Sequence, residues 1–139
     1  MIQIYPFHES NYQMLESWWK EHGWPAVPIQ KLPPVGFVAW DRVEGESDVP
    51  LCAAFAYLDN GGTGVAMLEW TVGNPNVGRL LVKGLKELLN FMIQELKKLD
   101  YDVVFTFCRH EGLIRIYEKC GFEVTDKGMT HLVHITQGE

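Results

Sequence analysis

The run from Val65 to Phe107 constrains the fold more than any other part of the chain. Val65 to Val72 has strand character, Gly73 to Gly78 is a turn rich in Gly, Asn and Pro, and Arg79 to Leu99 carries Leu81, Leu85, Leu88, Met92, Leu96 and Leu99 on one stripe. Val103 to Phe107 is then almost continuously apolar. A stripe on one side marks a helix packed on a sheet. A strand, a crossover helix of about twenty residues and a second apolar strand make a parallel βαβ unit, because parallel neighbours need a long return connection. The unbroken apolar run predicts Val103 to Phe107 as a central strand covered on both faces.

The rest of the chain is placed around this unit. Ile2 to Pro6 reads as an edge strand, where a terminal proline is tolerated. Ser10 or Asn11 caps a helix, Tyr12 to His22, with Met14, Leu15, Trp18 and Trp19 at helical spacing and Gly23 as its stop. Trp24 to Pro34 contains four prolines and is a loop or a broken helix. Gly36 to Trp40 and Pro50 to Leu58 are strands joined by an acidic turn, and the Gly-rich Asp59 to Gly64 leads into Val65 to Val72. Leu113, Ile116, Tyr117 and Cys120 define a short amphipathic helix ended by Gly121. Phe122 to Val124 and Met129 to Ile135 are predicted as two last strands around an Asp126–Gly128 turn. There is no repeat or linker, so residues 1–139 are expected to form one α/β domain with a mixed sheet.

Composition excludes some classes of function. A formal net charge of −6 argues against nonspecific attraction to nucleic acid or to an anionic membrane. No apolar run approaches the roughly 20 residues of a membrane span, and the N-terminus lacks a signal-peptide pattern, so a soluble cytoplasmic protein is expected. Cys52, Cys108 and Cys120 are an odd set without CxxC spacing and read as reduced thiols. No metal is expected, because Cys108-Arg-His110 with Cys120 lacks a fourth ligand at a recognised spacing. The remaining histidines, His8, His22, His131 and His134, form no constellation.

Three features carry chemical meaning. Glu69 alternates with Val65, Met67 and Thr71 on one face of a strand that should be central. A carboxylate there is costly unless it is paired or faces a wet cleft, and burial would raise its pKa and suit it to accept a proton from an ammonium. The alternatives are a pairing with a nearby Lys or Arg, or a solvated strand end. The turn Gly73 to Gly78 opens into a helix N-terminus, a setting that holds anions, or else is an ordinary connection with a surface Arg79. Trp18, Trp19 and Trp24 with the prolines around them form either a hydrophobic lid over the first helix or a wall of a binding cleft. Tyr117 lies on the apolar stripe of its helix, which by itself makes it a core tyrosine.

The order of elements, with Leu113-Ile-Arg-Ile-Tyr-Glu-Lys-Cys-Gly-Phe-Glu123, resembles the GNAT superfamily of acetyl-CoA-dependent N-acetyltransferases, whose segment there reads "lYeklGFe". The Trp18-Trp-Lys-Glu-His-Gly-Trp-Pro25 stretch is similar to small phage-encoded members. The resemblance implies a mixed, mostly antiparallel sheet of six to seven strands with a central parallel pair of fourth and fifth strands, flanked by helices. It also implies acetyl-CoA as co-substrate, with the pyrophosphate on the backbone of Asn76, Val77, Gly78, Arg79 and Leu80. The family's Gln/Arg-x-x-Gly-x-Gly/Ala loop is replaced here by Asn74-Pro-Asn-Val-Gly-Arg79, onto which only Gly78 and Arg79 map.

By the same resemblance, the main chain of Trp70, Thr71 and Val72 would meet the acetyl carbonyl and pantetheine arm, where the two strands splay, often at a bulge. Glu69 would act as base, commonly through water, and Tyr117 as the acid that protonates the departing thiolate. Trp18, Trp19 and Trp24 would wall the acceptor site. The acceptor would be the primary amine of a small molecule or peptide, and the protein a monomer or homodimer. The missing Gly-x-Gly loop keeps open a second reading, a GNAT-fold binding or regulatory module without catalysis.

Overall fold

In a computed structural model that describes residues 1–137, β1 (Ile2–Pro6), β2 (Val35–Asp41), β3 (Val49–Leu58), β4 (Val65–Gly73) and β5 (Val103–Phe105) form one sheet in chain order. The first four pair antiparallel and β4 pairs β5 in parallel. The helices are α1 (Tyr12–Glu21), α2 (Leu80–Lys98) and α3 (Glu111–Lys119). The strand–helix–strand unit is therefore β4–α2–β5. Asn11 holds the N-cap position of α1 without a side-chain cap bond, and ahead of it His8 caps the 3-10 turn Glu9–Asn11, its ring accepting from the Ser10 amide while Asn11 Oδ1 accepts from the His8 amide.

Each face of the sheet has its own cover. Leu85, Leu88, Leu89, Met92 and Leu96 of α2, with Ile116 and Tyr117 of α3, pack on Leu51, Ala54, Ala56, Ala66 and Leu68. On the other face Leu15, Trp18, Trp19 and Val27 pack on Val38, Ala53, Phe55 and Val72. From Leu85 to Leu96 the α2 stripe seen in the sequence is the buried face, as a helix on a sheet requires, whereas Leu99 lies past the helix end and is exposed.

Two irregularities in β4 shape what lies above it. Phe55 stands opposite Glu69 but Ala53 opposite Val72, so Trp70 and Thr71 together face Ala54 in a β-bulge. Trp70 takes a left-handed φ of 60°, rare for a bulky residue. The inserted residue exchanges the faces: Leu68 packs with α2, whereas Trp70 and Val72 pack with α1 and Thr71 turns toward α3. The ladder between β4 and β5 also ends early, at Met67 against Phe105, where β5 itself stops while β4 runs on to Gly73.

The expected sheet of six to seven strands is corrected to five among the described residues. Phe122–Val124 and Met129–Ile135 form no ladder, and Leu132 is 84% exposed. Met129, Val133 and Ile135 share one alternation phase, as in a strand, but they are 66%, 74% and 77% exposed, and without a buried face nothing fixes a strand register. The expectation for Val103 to Phe107 is corrected too. β5 is an edge of the sheet among the described residues, Phe105 is 53% exposed, and Phe107 lies beyond the strand. Apolar content alone does not distinguish a covered strand from an uncovered one.

Candidate active site

Beside the stretch of β4 that runs past the end of β5, a cleft of about 250 Å³ opens between β4, the first turns of α2, and α3. Its walls are Thr71 and Gly73 of β4, Leu81 and Leu85 of α2, and Leu113 and Ile116 of α3, with His22, Trp24 and His110 also lining it. The lining is chiefly apolar, suited to a slender uncharged chain. Gly73 keeps the cleft open: a Cβ there would stand 2.5 Å from one Leu81 methyl and 2.9 Å from the other.

The cleft reaches a pair of hydroxyls. Thr71 Oγ1 and Tyr117 Oη are 2.9 Å apart, so the phenol sits one hydrogen bond behind the cleft wall. Tyr117 is buried, and burial pushes its pKa above the ordinary phenol value while the Thr71 and Thr106 hydroxyls oppose the shift. The Tyr117 hydroxyl is therefore protonated at neutral pH.

Glu69 lies on the other side of the bulge. It shares the α1-side face with Phe55, its cross-strand partner, as directly opposed residues do. Burial raises its carboxyl pKa, opposed by His131 and by the backbone amide of Phe107. Its Oε1 is buried without a hydrogen-bond partner among the described residues. None of the ion pairs among these residues involves Glu69, which removes the reading of a carboxylate paired with Lys or Arg. Glu69 also raises the pKa of Tyr117, so the two sites influence each other electrostatically.

The start of α2 only partly matches expectation. Leu80 begins the helix, Arg79 occupies the N-cap position without a side-chain cap, and Gly78 takes a φ of 59°. Val77 packs its side chain against the main core, and Arg79 and Leu80 are exposed. The Asn76 amide is a correction: it donates to Asn74 Oδ1 at 3.0 Å and is already used. The Asn76 side chain also donates to Glu21 Oε2 at 3.3 Å, placing a carboxylate beside the loop.

The three tryptophans separate. Trp18 and Trp19 are core residues, 5% and 3% exposed, and present no face to a ligand. Helical spacing put both on the stripe that covers Phe55 and Val72, so the acceptor-wall expectation for them is corrected. Trp24 alone lines the cleft, stacked on His22 with ring centroids 4.4 Å apart and close to His110 at 5.1 Å. The sequence reading missed His22, His110, Thr106, Cys108 and His131. His22 Nε2 bonds the Gly73 carbonyl at 2.9 Å, and Cys108, its pKa raised by burial, lies near Glu69 and Tyr117. His22 and Gly73 are 51 residues apart, a separation at which no local spacing rule operates.

No protein-family model matches the chain, and no curated protein does. Solved structures do. An acetyltransferase of Trypanosoma brucei is 19% identical, with 96% of this chain and 100% of that one covered at a TM-score of 0.66. The ribosomal-protein-S18-alanine N-acetyltransferase of Escherichia coli is 18% identical over 91% of this chain and 80% of that one, at a TM-score of 0.68. Glucosamine-6-phosphate N-acetyltransferase of Arabidopsis thaliana is 13% identical over 96% and 99%, at 0.67. These structural neighbours are GNAT acetyltransferases, and this chain has their fold. At such identities the likeness extends to the fold alone.

Proposed function

We propose that the chain is an acetyl-CoA-dependent N-acyltransferase in which a primary amine attacks the thioester directly. The observation that carries this reading is the early end of the β4–β5 ladder, followed along β4 by the Trp70–Thr71 bulge. It leaves an apolar cleft on one side, a buried carboxylate on the other, and the Thr71–Tyr117 hydroxyl pair beside them.

Acetyl-CoA supplies an activated acyl group. The cleft between β4, α2 and α3 takes its pantetheine arm, and the main chain of Trp70, Thr71 and Val72 meets the acyl end. The α2 N-terminus, with the amides of Val77, Gly78, Arg79 and Leu80 and the Arg79 side chain, holds the pyrophosphate. Glu69, made basic by burial, takes a proton from the acceptor ammonium, directly or through water, and the neutral amine attacks the carbonyl carbon. As the C–S bond breaks, Tyr117 gives its proton to the leaving sulfur, Thr71 keeps the phenol oriented, and the proton that the new amide nitrogen sheds restores the phenol through water.

Glu21 beside Asn76 favours a second reading, a GNAT-fold binding module without catalysis, since a carboxylate near the loop opposes a pyrophosphate. Calorimetric titration with acetyl-CoA separates the two. Binding at micromolar to sub-millimolar concentration, with release of free thiol in the presence of amines, supports the enzyme; no binding at millimolar ligand removes it.

A further inference from the structure

We infer that the acceptor is a monoamine borne on an aromatic or apolar body, of the arylalkylamine type, seated on Tyr57, Met67 and Phe105 with its ammonium at Glu69. The inference rests on the acyltransfer reading and names the substrate class of the same site.

The register lays out this surface. Tyr57 is the cross-strand partner of Met67, and Met67 is the partner of Phe105, so the three side chains form a row on one face across β3, β4 and β5. Glu69 is two residues along β4 from Met67 and projects on that same face. The bulge follows at Trp70, so Glu69 is the last β4 side chain before the faces exchange.

The row is left uncovered for a geometric reason. α1 has 10 residues and its buried side chains rest on Val38, Ala53, Phe55 and Val72, short of the row. Tyr57 is accordingly 37% exposed and Phe105 53%. Tyr57 is nevertheless held in place: its hydroxyl accepts from Trp70 Nε1 at 2.9 Å and donates to the Lys31 carbonyl at 2.8 Å. An exposed aromatic fixed at both ends is a platform that loses little freedom when a ligand lands on it.

Charge then selects the ligand. Glu69 offers a buried carboxylate oxygen without a partner, which complements one ammonium. The only charged group that acts on its ionisation among the described residues is His131, a potential cation, and no second carboxylate contributes. A polyamine or amino sugar would bring further charged or hydroxyl groups onto Tyr57, Met67 and Phe105, where they would lose water and find no partner. A single ammonium on an aromatic body meets the carboxylate at one end and apolar and π surface at the other.

The test is calorimetric titration of the full chain, with and without saturating CoA, using phenethylamine, spermidine and a Phe-Ala-Ala peptide with a free N-terminus. Phenethylamine or the peptide is expected to bind at least about tenfold more tightly than spermidine, and whichever is tighter identifies a free amine or a peptide N-terminus as the source. Phe105→Ser, at an exposed edge position, is expected to weaken that ligand about fivefold to tenfold and to leave spermidine within twofold. Spermidine binding as tightly, an unchanged affinity in Phe105→Ser, or no aromatic amine binding in either state overturns the inference. Amine binding is read without turnover, so failure of this assignment and failure to bind acetyl-CoA are separate results.

Discussion

In the proposed reaction the Tyr117 phenol gives up a proton, and the 2.9 Å bond to Thr71 Oγ1 makes that role separable from a packing role. Tyr117→Phe keeps the ring, its edge contact with Phe122 at 5.1 Å and its place in the core, and removes only the hydroxyl. Losing one neutral hydrogen bond costs about 0.5–1.5 kcal/mol of stability. In a chain of 139 residues that lowers Tm by roughly 2–6 °C. Thr71→Val breaks the same bond from the other side, so the two variants should be destabilised alike. The double variant should cost less than the two losses together, because one interaction is removed twice. Turnover should divide them. General acid catalysis contributes about 10² to 10⁴ in rate, or about 3–5 kcal/mol, so Tyr117→Phe should lower kcat at least about 100-fold with acetyl-CoA affinity within about threefold. Thr71→Val retains the phenol and should lose less than about tenfold. The assay is free-thiol release from acetyl-CoA together with urea denaturation of the same preparations. A Tyr117→Phe enzyme within about threefold of the parent kcat, at the expected loss of stability, would refute the acid role and leave Tyr117 a core residue.

Glu69 must be ionised to take a proton and burial raises its pKa, so kcat/KM should climb with pH through a value above the ordinary carboxylate range. Tyr117 must stay protonated and its pKa is also raised, so the descending limb should lie above about 10; Glu69→Gln should abolish the acidic limb. A raised folded-state pKa means the folded chain binds more protons than the unfolded one between the two values, so Glu69 costs stability as pH rises across that window. Glu69→Gln should therefore raise Tm at neutral pH and show no gain below the unfolded pKa. Gly36→Ala would drive a Cβ into the fully buried Phe55 ring and should cost about 1–3 kcal/mol in urea denaturation; a loss under about 0.5 kcal/mol would mean the ring has room to move. Gly73→Val should press Leu81 into the cleft and weaken acetyl-CoA binding at least about tenfold by calorimetry, and unchanged affinity would place the ligand elsewhere.

Much of the architecture is written in local pattern. β1 has the bounds its residues suggest, α2 differs by one residue at each end, and the parallel β4–β5 pair follows from the long helix between two apolar strands. The end of the sheet is not legible, because Val103 to Phe107 has the same composition whether or not another strand joins its outer edge. At the candidate site, Glu69 declares itself as a charge on an apolar strand and Tyr117 through the segment that resembles GNAT proteins. The tryptophans do not sort themselves: Trp18 and Trp19 differ from Trp24 only in being on the helix stripe, and that spacing argued for core. His22 reaching Gly73 and His131 acting on Glu69 are products of tertiary placement, which spacing along the chain does not encode.

The bulge at Trp70 and Thr71 has a consequence for traffic through the protein. Glu69 and Thr71 are two positions apart, and in an unbroken strand both would open to the same side of the sheet. One inserted residue turns them to opposite sides, so the wall between the two layers becomes a doorway with a group on each jamb. In the proposed reaction a donor lodged between α2 and α3 and an acceptor seated over Phe105 would meet from opposite faces of the sheet.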